Sequence, residues 1–365
     1  MNIVKSVEAY EAWLRAQLGV EFEETNVEDK HQRMAEGPFP FLRATYWRWA
    51  EIVLDVCPEL AKAPPVLAVG DIHLENYGTW RDADGRLVWG VNDFDEAAEM
   101  PYAIDLVRLA TSAILAAGED GCKPHDITAP LLQGYAAGVG RPQPIVLDRD
   151  HAWLRAVVEV KDKARKKFWK KLKKLEPGGA PARPRYVRAL KAAMPEPSIR
   201  QKLFRREAGL GSLGRPRWVA IGTWRGAPVV REAKVLVPSA WTLTEGRGGF
   251  AIRWNEIATG PHRAPDPWFR LTDNIVVRRL SPNNRKIESD KKSDLVALLD
   301  PRMLHAMGHE LASIHLGSAN GKGAIEMHLA HHKTGWFLAA IDRAVHAMAR
   351  DYGAWKRHMG ATAAK

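Results

Sequence analysis

Cysteine is nearly absent: Cys57 and Cys122 are the only two in 365 residues. That is too few for a disulfide framework, and they lack the paired spacing of a zinc site. The scarcity favours a reducing, intracellular setting. Long apolar runs are missing too. The best candidate, residues 103–117, contains Asp105 and Arg108, whereas a membrane-crossing helix needs roughly 18 or more apolar residues in a row. The opening MNIVKSVEAYEAWLRAQLGVEFEE has no apolar core of export-signal type and carries acids early. No internal repeat or low-complexity tract stands out. The expectation is a soluble, cytoplasmic protein without a membrane span.

Against these absences, hydrophobic residues make up 46% of the chain, enough at this length for a large core and two lobes. The formal net charge is +11, so the protein attracts polyanions, nucleotides among them. Part of the excess is local. Residues 161–174 hold eight lysines and Arg165 against the single Asp162. Ala164, Phe168, Leu172 and Leu175 recur on one helical face, which reads as a solvated helix with an apolar seam. A polyanion contact through the same helix is the alternative. The fourteen tryptophans are scattered through amphipathic segments and read as packing.

Periodicity predicts helices over 6–19, 41–57, 102–118, 125–139, 186–193, 301–316 and 335–356. Strand signals fall at 66–69, 218–221, 229–235, 250–254 and 274–280. The stretch from Trp80 to Asp93 reads as a hairpin with its turn at Asp84-Gly85.

The chemistry-bearing residues cluster around that hairpin. Gly-Asp71-Ile-His73-Leu-Glu-Asn76 precedes it and Asn-Asp93-Phe-Asp95 follows it. This is the order of a phosphoryl-transfer site. One carboxylate (Asp71) accepts a hydroxyl proton, while an amide oxygen (Asn76) and a second carboxylate (Asp93) hold Mg²⁺ against nucleotide phosphates. Asp95 is a candidate second metal ligand or a turn acid. His73 reads as a brace for the loop or a catalytic partner, and Glu96 and Glu99 as surface or helix N-terminal acids.

Later in the chain comes Gly209-Leu-Gly211-Ser212-Leu-Gly214. A strand-like run follows it, so a dinucleotide-fold crossover helix is not expected. A glycine turn between strands that covers ATP phosphates is one reading, and a structural hairpin turn is the other. The next strand, Val-Val-Arg231-Glu-Ala-Lys234, offers two cations for phosphate. They point to opposite faces, so only one can enter a cleft. Arg278 and Arg279 are further candidates, and Glu245 or Glu256 could partner the cation.

These motifs, with Pro101, IDLVRLATS, VRRL, FPFLRATYWRWA and HELASIHLGS, resemble over residues 30–320 an uncharacterised bacterial family, domain of unknown function 2252. More distantly, Asp71-Ile-His73-x-x-Asn76, Asp93 and Asp105-Leu106 resemble the aminoglycoside and choline phosphotransferase branch of the kinase-like fold. That resemblance implies ATP and Mg as cofactors, Asp71 as base, Asn76 and Asp93 as metal ligands, and Asp105 as a brace for the loop. Val69 stands where that branch often has His. Arg231-Glu-Ala stands where the bacterial family carries Lys-Glu-Ala, which leaves the phosphate-binding cation open between Arg231 and Lys234.

In ordinary kinases the glycine loop comes first; here it comes second. The resulting expectation is an α+β, two-lobed, protein-kinase-like fold, circularly permuted. Residues 1–200 form the catalytic part, 201–285 the β-rich nucleotide part, and 286–365 return to the catalytic lobe. Leu304–Leu316 would be the helix that leads into the catalytic loop. The expected function is phosphoryl transfer from ATP to the hydroxyl of an unidentified small molecule or, second, of a protein. A nucleotide-binding pseudokinase or basic scaffold is the non-enzymatic alternative. A metal-dependent phosphoesterase using Asp71 and His73 is weaker, because the further Gly-Asp-x-x-Asp and Gly-Asn-His motifs are missing.

Overall fold

The computed structural model describes residues 1–118, 121, 123–175, 181–206, 214–245, 251–317, 321–332 and 335–363. Helices are combined with antiparallel sheets, an α+β arrangement. Up to residue 200 helices dominate, interrupted by two small sheets. Strand β1 (Pro65–Ala68) pairs with β4 (Ala98–Pro101), while β2 (Tyr77–Arg81), β3 (Leu87–Val91) and β5 (Ile145–Val146) form a three-stranded sheet. The β2–β3 hairpin turns where expected. Gly85 takes φ 79°, and Asp82 Oδ1 accepts the N–H groups of Asp84 and Arg86 at 3.1 and 2.9 Å. The turn is therefore fixed by an aspartate cap as well as by glycine.

The remaining strands all lie between residues 201 and 279. They are β6 (Gln201–Arg205), β7 (Arg217–Trp224), β8 (Ala227–Val235), β9 (Arg270–Thr272) and β10 (Ile275–Arg279), and they form one sheet in the order β6-β7-β8-β10-β9. Side-chain alternation gives this sheet two unlike faces. On one, Trp218, Ala220, Ala233, Val235 and Ile275 join the main core, against which the Pro184–Ala192 helix packs. On the other, Val219 and Val230 meet Leu172, Phe168 and Trp169 of the basic Asp162–Lys173 helix. Its eight lysines, Lys161 and Lys174 included, are exposed. That second face continues past the helix into Arg217, Glu232, Lys234 and Arg278.

Three local expectations are corrected. The 250–254 run is no strand among the described residues 251–254; Trp254 instead begins a helix, Trp254–Ala258, and packs its ring on Phe94 and Phe269. Strands β4, β5, β6 and β9 were not anticipated. The expected 41–57 helix is two helices, Pro38–Ala44 and Tyr46–Val56, broken at Thr45 (φ −126°, ψ 43°). The Thr45 hydroxyl donates to the Phe41 carbonyl at 2.7 Å, competing with helix continuation.

Two helices distant in sequence, Pro124–Gly140 and Pro301–His315, pack closely along their length. Glycines set the spacing. A Cβ on Gly134 would lie 1.9 Å from the His305 carbonyl oxygen, and one on Gly308 2.2 Å from that of Leu131. Replacing Gly308 by Ala adds about 1 kcal/mol of helix propensity, yet overpacking costs about 1–3 kcal/mol or more. Gly308→Ala is expected to lower the urea midpoint at an unchanged m-value; a raised midpoint would mean the backbones are not in contact.

Candidate functional site

The loop after β1 is held from below by one carboxylate. Asp105, fully buried in the Tyr102–Ala117 helix, accepts the backbone N–H of Val69 at 2.7 Å and of Gly70 at 3.0 Å, and His315 Nε2 lies 3.1 Å from Oδ2. The close fit explains Gly70. Its φ is 81°, and a Cβ there would meet the Glu96 carbonyl at 2.4 Å, so both conformation and space require glycine.

Beyond Gly70 the loop caps itself. The His73 N–H donates to Asn76 Oδ1 at 2.9 Å, and the Glu75 N–H donates to His73 Nδ1 at 3.1 Å, a reciprocal box around a single 3₁₀ turn. Burial, then the cations Arg43, Lys286 and Arg108, push the His73 imidazole well below its ordinary range, so it is neutral and acts as an acceptor. The Asn92 N–H donates to the Asn76 carbonyl at 3.0 Å, and Asn76 Nδ2 reaches the Asp93 carbonyl at 3.4 Å. The hairpin thus returns residues 92–95 to the 71–76 loop.

Asp71 pairs with Arg108, a wholly buried guanidinium from the same helix as Asp105. Arg108 also donates to the Leu42 carbonyl at 3.0 Å and lies over the Tyr46 and Trp49 rings. Burial raises the Asp71 carboxyl to about 7, against the lowering pull of Arg108. Arg108 was not read as a site residue from the sequence, although its i,i+3 spacing from Asp105 was a usable signal.

Asp93 and Asp95 share Lys234, whose Nζ lies 3.3 Å from Asp93 Oδ1 and also contacts Asp95. Burial would raise Asp93, but Lys234, Arg278, Lys286 and Arg217 hold it well below the usual carboxylate range. Burial raises Asp95. Of the two candidate cations on β8, Lys234 therefore faces the acids. Arg231 points to the opposite face, where Nε donates to the Ala193 carbonyl at 2.7 Å and the guanidinium covers Trp268.

Glu232, between them in sequence and on the Lys234 face, is 1% exposed and carries three guanidiniums. Arg206, Arg217 and Arg278 approach it at 2.5, 2.8 and 2.6 Å. Sequence reasoning missed Arg206, Arg217 and Glu232, because strand register alone brings them together. Of the two Glu partners considered for the cation, Glu256 does not fill that place. Glu256 pairs with Arg253 at the surface, and the side chain of Glu245 lies outside the described residues. Glu96 is a further correction. It is buried, with Arg215 at 3.2 Å and the Ala240 N–H at 2.7 Å, whereas Glu99 is exposed as expected.

Gly209, Gly211 and Ser212 lie outside the described residues. Gly214 has φ 90° and its carbonyl accepts the Glu23 N–H at 3.0 Å. Between the early loops and the sheet runs a cleft of about 900 Å³. Its lining includes the acids Glu75 and Asp93, the cations Arg206, Arg217 and Arg278, and the ring of Phe168. Asp71 does not line it, although its side chain is 24% exposed.

Donor chemistry at the cleft suits a hard cation. Asp93 is 38% exposed and Asp95 stands two residues on. Among the described residues no group of three or more His, Cys, Asp or Glu could hold a metal by itself. One or two carboxylates completed by phosphate oxygens is the usual manner of holding Mg²⁺. A two-metal phosphoesterase centre gains no support from these side chains.

Asp105→Ala would leave two buried N–H groups without an acceptor, at about 1–3 kcal/mol each. Its unfolding free energy is expected to fall by roughly 3 kcal/mol in urea titration; an unchanged value would mean the loop is held by something else.

No curated protein and no solved structure matches the chain. A family match covers the segment that carries Asp71, Asn76, Asp93 and Asp105: residues 23–138 are similar to the family described as an uncharacterized protein conserved in bacteria (DUF2252).

Proposed function

We propose that the protein is an ATP- and Mg-dependent phosphotransferase acting on a hydroxyl group of a small molecule or, second, of a protein. One observation carries the reading. A carboxylate of the early hairpin, Asp93, and the cation-rich face of a sheet far along the chain open onto a single cleft large enough for a nucleotide. In this reading the fold is kinase-like and permuted, with the Pro301–His315 helix returning to the catalytic part through the contact of His315 with Asp105.

Within the reading, Asp71 accepts the proton of the attacking hydroxyl. A carboxyl near 7 suits that task, since a good part of it is ionised near neutral pH and it is basic enough to take a proton. Arg108 fixes its orientation. Asp93 and Asp95, with Asn76, would hold Mg²⁺, which when bound neutralises phosphate charge. Lys234 balances the acidic pair, and Asp105 keeps the Asp71 loop in register. The exposed lysines of residues 161–174 offer a polyanion a place to rest beside the cleft.

A binding-only reading is favoured by separate observations. Asp71 is locked to a buried guanidinium and does not line the cleft, and Asn76 Oδ1 is already engaged by His73. Nucleotide binding without turnover would follow. A thermal shift with Mg-ATP that survives in Asp71→Asn, combined with no ATP consumption by the parent protein, selects this alternative.

If the protein turns over, Asp93→Ala is expected to abolish the Mg-ATP thermal shift, while Asp71→Ala keeps the shift and loses ATP consumption by about 10²-fold or more. Parent-like activity in either variant contradicts the assignment. The pH dependence follows from Asp71. Its carboxylate is the active form, so kcat should rise with pH through a midpoint near 7. A kcat that is flat across that region would remove Asp71 from the role of base.

A further inference from the structure

Charge on the sheet face does not balance. Glu232 is one carboxylate serving Arg206, Arg217 and Arg278, which leaves a local excess of positive charge beside Asp93. The three guanidiniums are brought together by register. Arg278 stands directly opposite Glu232 on β10, Arg217 opposite Lys234 on β7, and the Arg206 N–H bonds the Arg217 carbonyl at 3.1 Å. Arg206 and Arg278 keep 30% and 32% of their side chains exposed, while Glu232 is closed off at 1%. All three arginines line the cleft; Glu232 does not. The carboxylate thus lies behind the guanidiniums and orients them, and their outward N–H groups face the cavity.

We infer that Arg206, Arg217 and Arg278, splayed on Glu232, form a cradle for the phosphate chain of a di- or triphosphate, so that arginine forks and not Lys234 make the principal phosphate contacts. Guanidinium forks match phosphate oxygens in pairs, which an ammonium cannot do. Lys234 is already committed to Asp93 and Asp95. Along β8 the order is Val230, which packs in one cluster with Phe168 and Leu280, then Glu232 with its three arginines, then Lys234 with Asp93. A nucleotide would therefore lie with its base toward Phe168 and its terminal phosphate toward Asp93. That orientation rests on the phosphotransferase reading; the cradle itself requires only a phosphate chain.

The test titrates inorganic tripolyphosphate, and separately Mg-ATP, into the parent, Arg206→Gln and Arg278→Gln, by calorimetry with circular dichroism as the check on folding. Both arginines are partly exposed, and Arg206 follows the end of β6, so its variant carries the test if Arg278→Gln does not fold. The parent is expected to bind tripolyphosphate, and each substitution to weaken it by roughly tenfold or more. Tripolyphosphate binding that is lost in the variants, without any Mg-ATP binding by the parent, keeps the cradle and overturns the nucleotide reading. Mg-ATP binding unchanged in both variants does the opposite. Binding of neither ligand by the parent overturns both.

Discussion

One ammonium ties the molecule together. Lys234 Nζ, on the third strand of the five-stranded sheet, is held by Asp93 and Asp95 from the end of an early hairpin. A buried lysine with no partner costs several kcal/mol, and so does a buried carboxylate. The sheet therefore cannot slide over the hairpin without leaving charges stranded in a poorly solvated place. Other pairs reinforce the arrangement from the same side, notably Arg215 with Glu96 and Arg263 with Glu310. The cleft is lined by residues from both sides of the Lys234 contact, Asp93 from the hairpin end and Arg217 and Arg278 from the sheet.

Below the cleft the logic changes from charge to backbone satisfaction. Asp105 supplies acceptors to N–H groups that a tight turn leaves without partners, and the His73–Asn76 box supplies the rest. The helices beneath pack through glycine contacts at Gly134 and Gly308, so little slack is available for the loop to adjust. Rigidity of this kind would suit the proposed phosphoryl transfer, in which a small group must be aimed.

Much of this was legible in the sequence wherever the determinants were local. The hairpin around Gly85, the Asp71–Asn76 loop and its return at Asp93 follow from spacing and turn chemistry. Alternation said that Arg231 and Lys234 must part company. It could not say which one faced the acids, because that depends on which sheet face the Pro184–Ala192 helix covers. The gathering of Arg206, Arg217 and Arg278 on Glu232 was invisible, since it arises from strand register between residues far apart in the chain. Glu96 was misjudged for the same reason, its partner Arg215 lying in another part of the sequence. Within the expected 250–254 strand, the described residues 251–254 were misread because they lead into a helix start at Trp254, which packs on Phe94 and Phe269.

The reciprocal cap at His73 and Asn76 has an evolutionary corollary. Because the amide of Asn76 closes the turn that carries it, selection for foldability alone would preserve this asparagine in descendants that had abandoned chemistry. Its survival in a relative would thus testify to the architecture of the loop. Asp71 is the more telling position, for its carboxylate closes no turn and, among the described residues, is paired with Arg108.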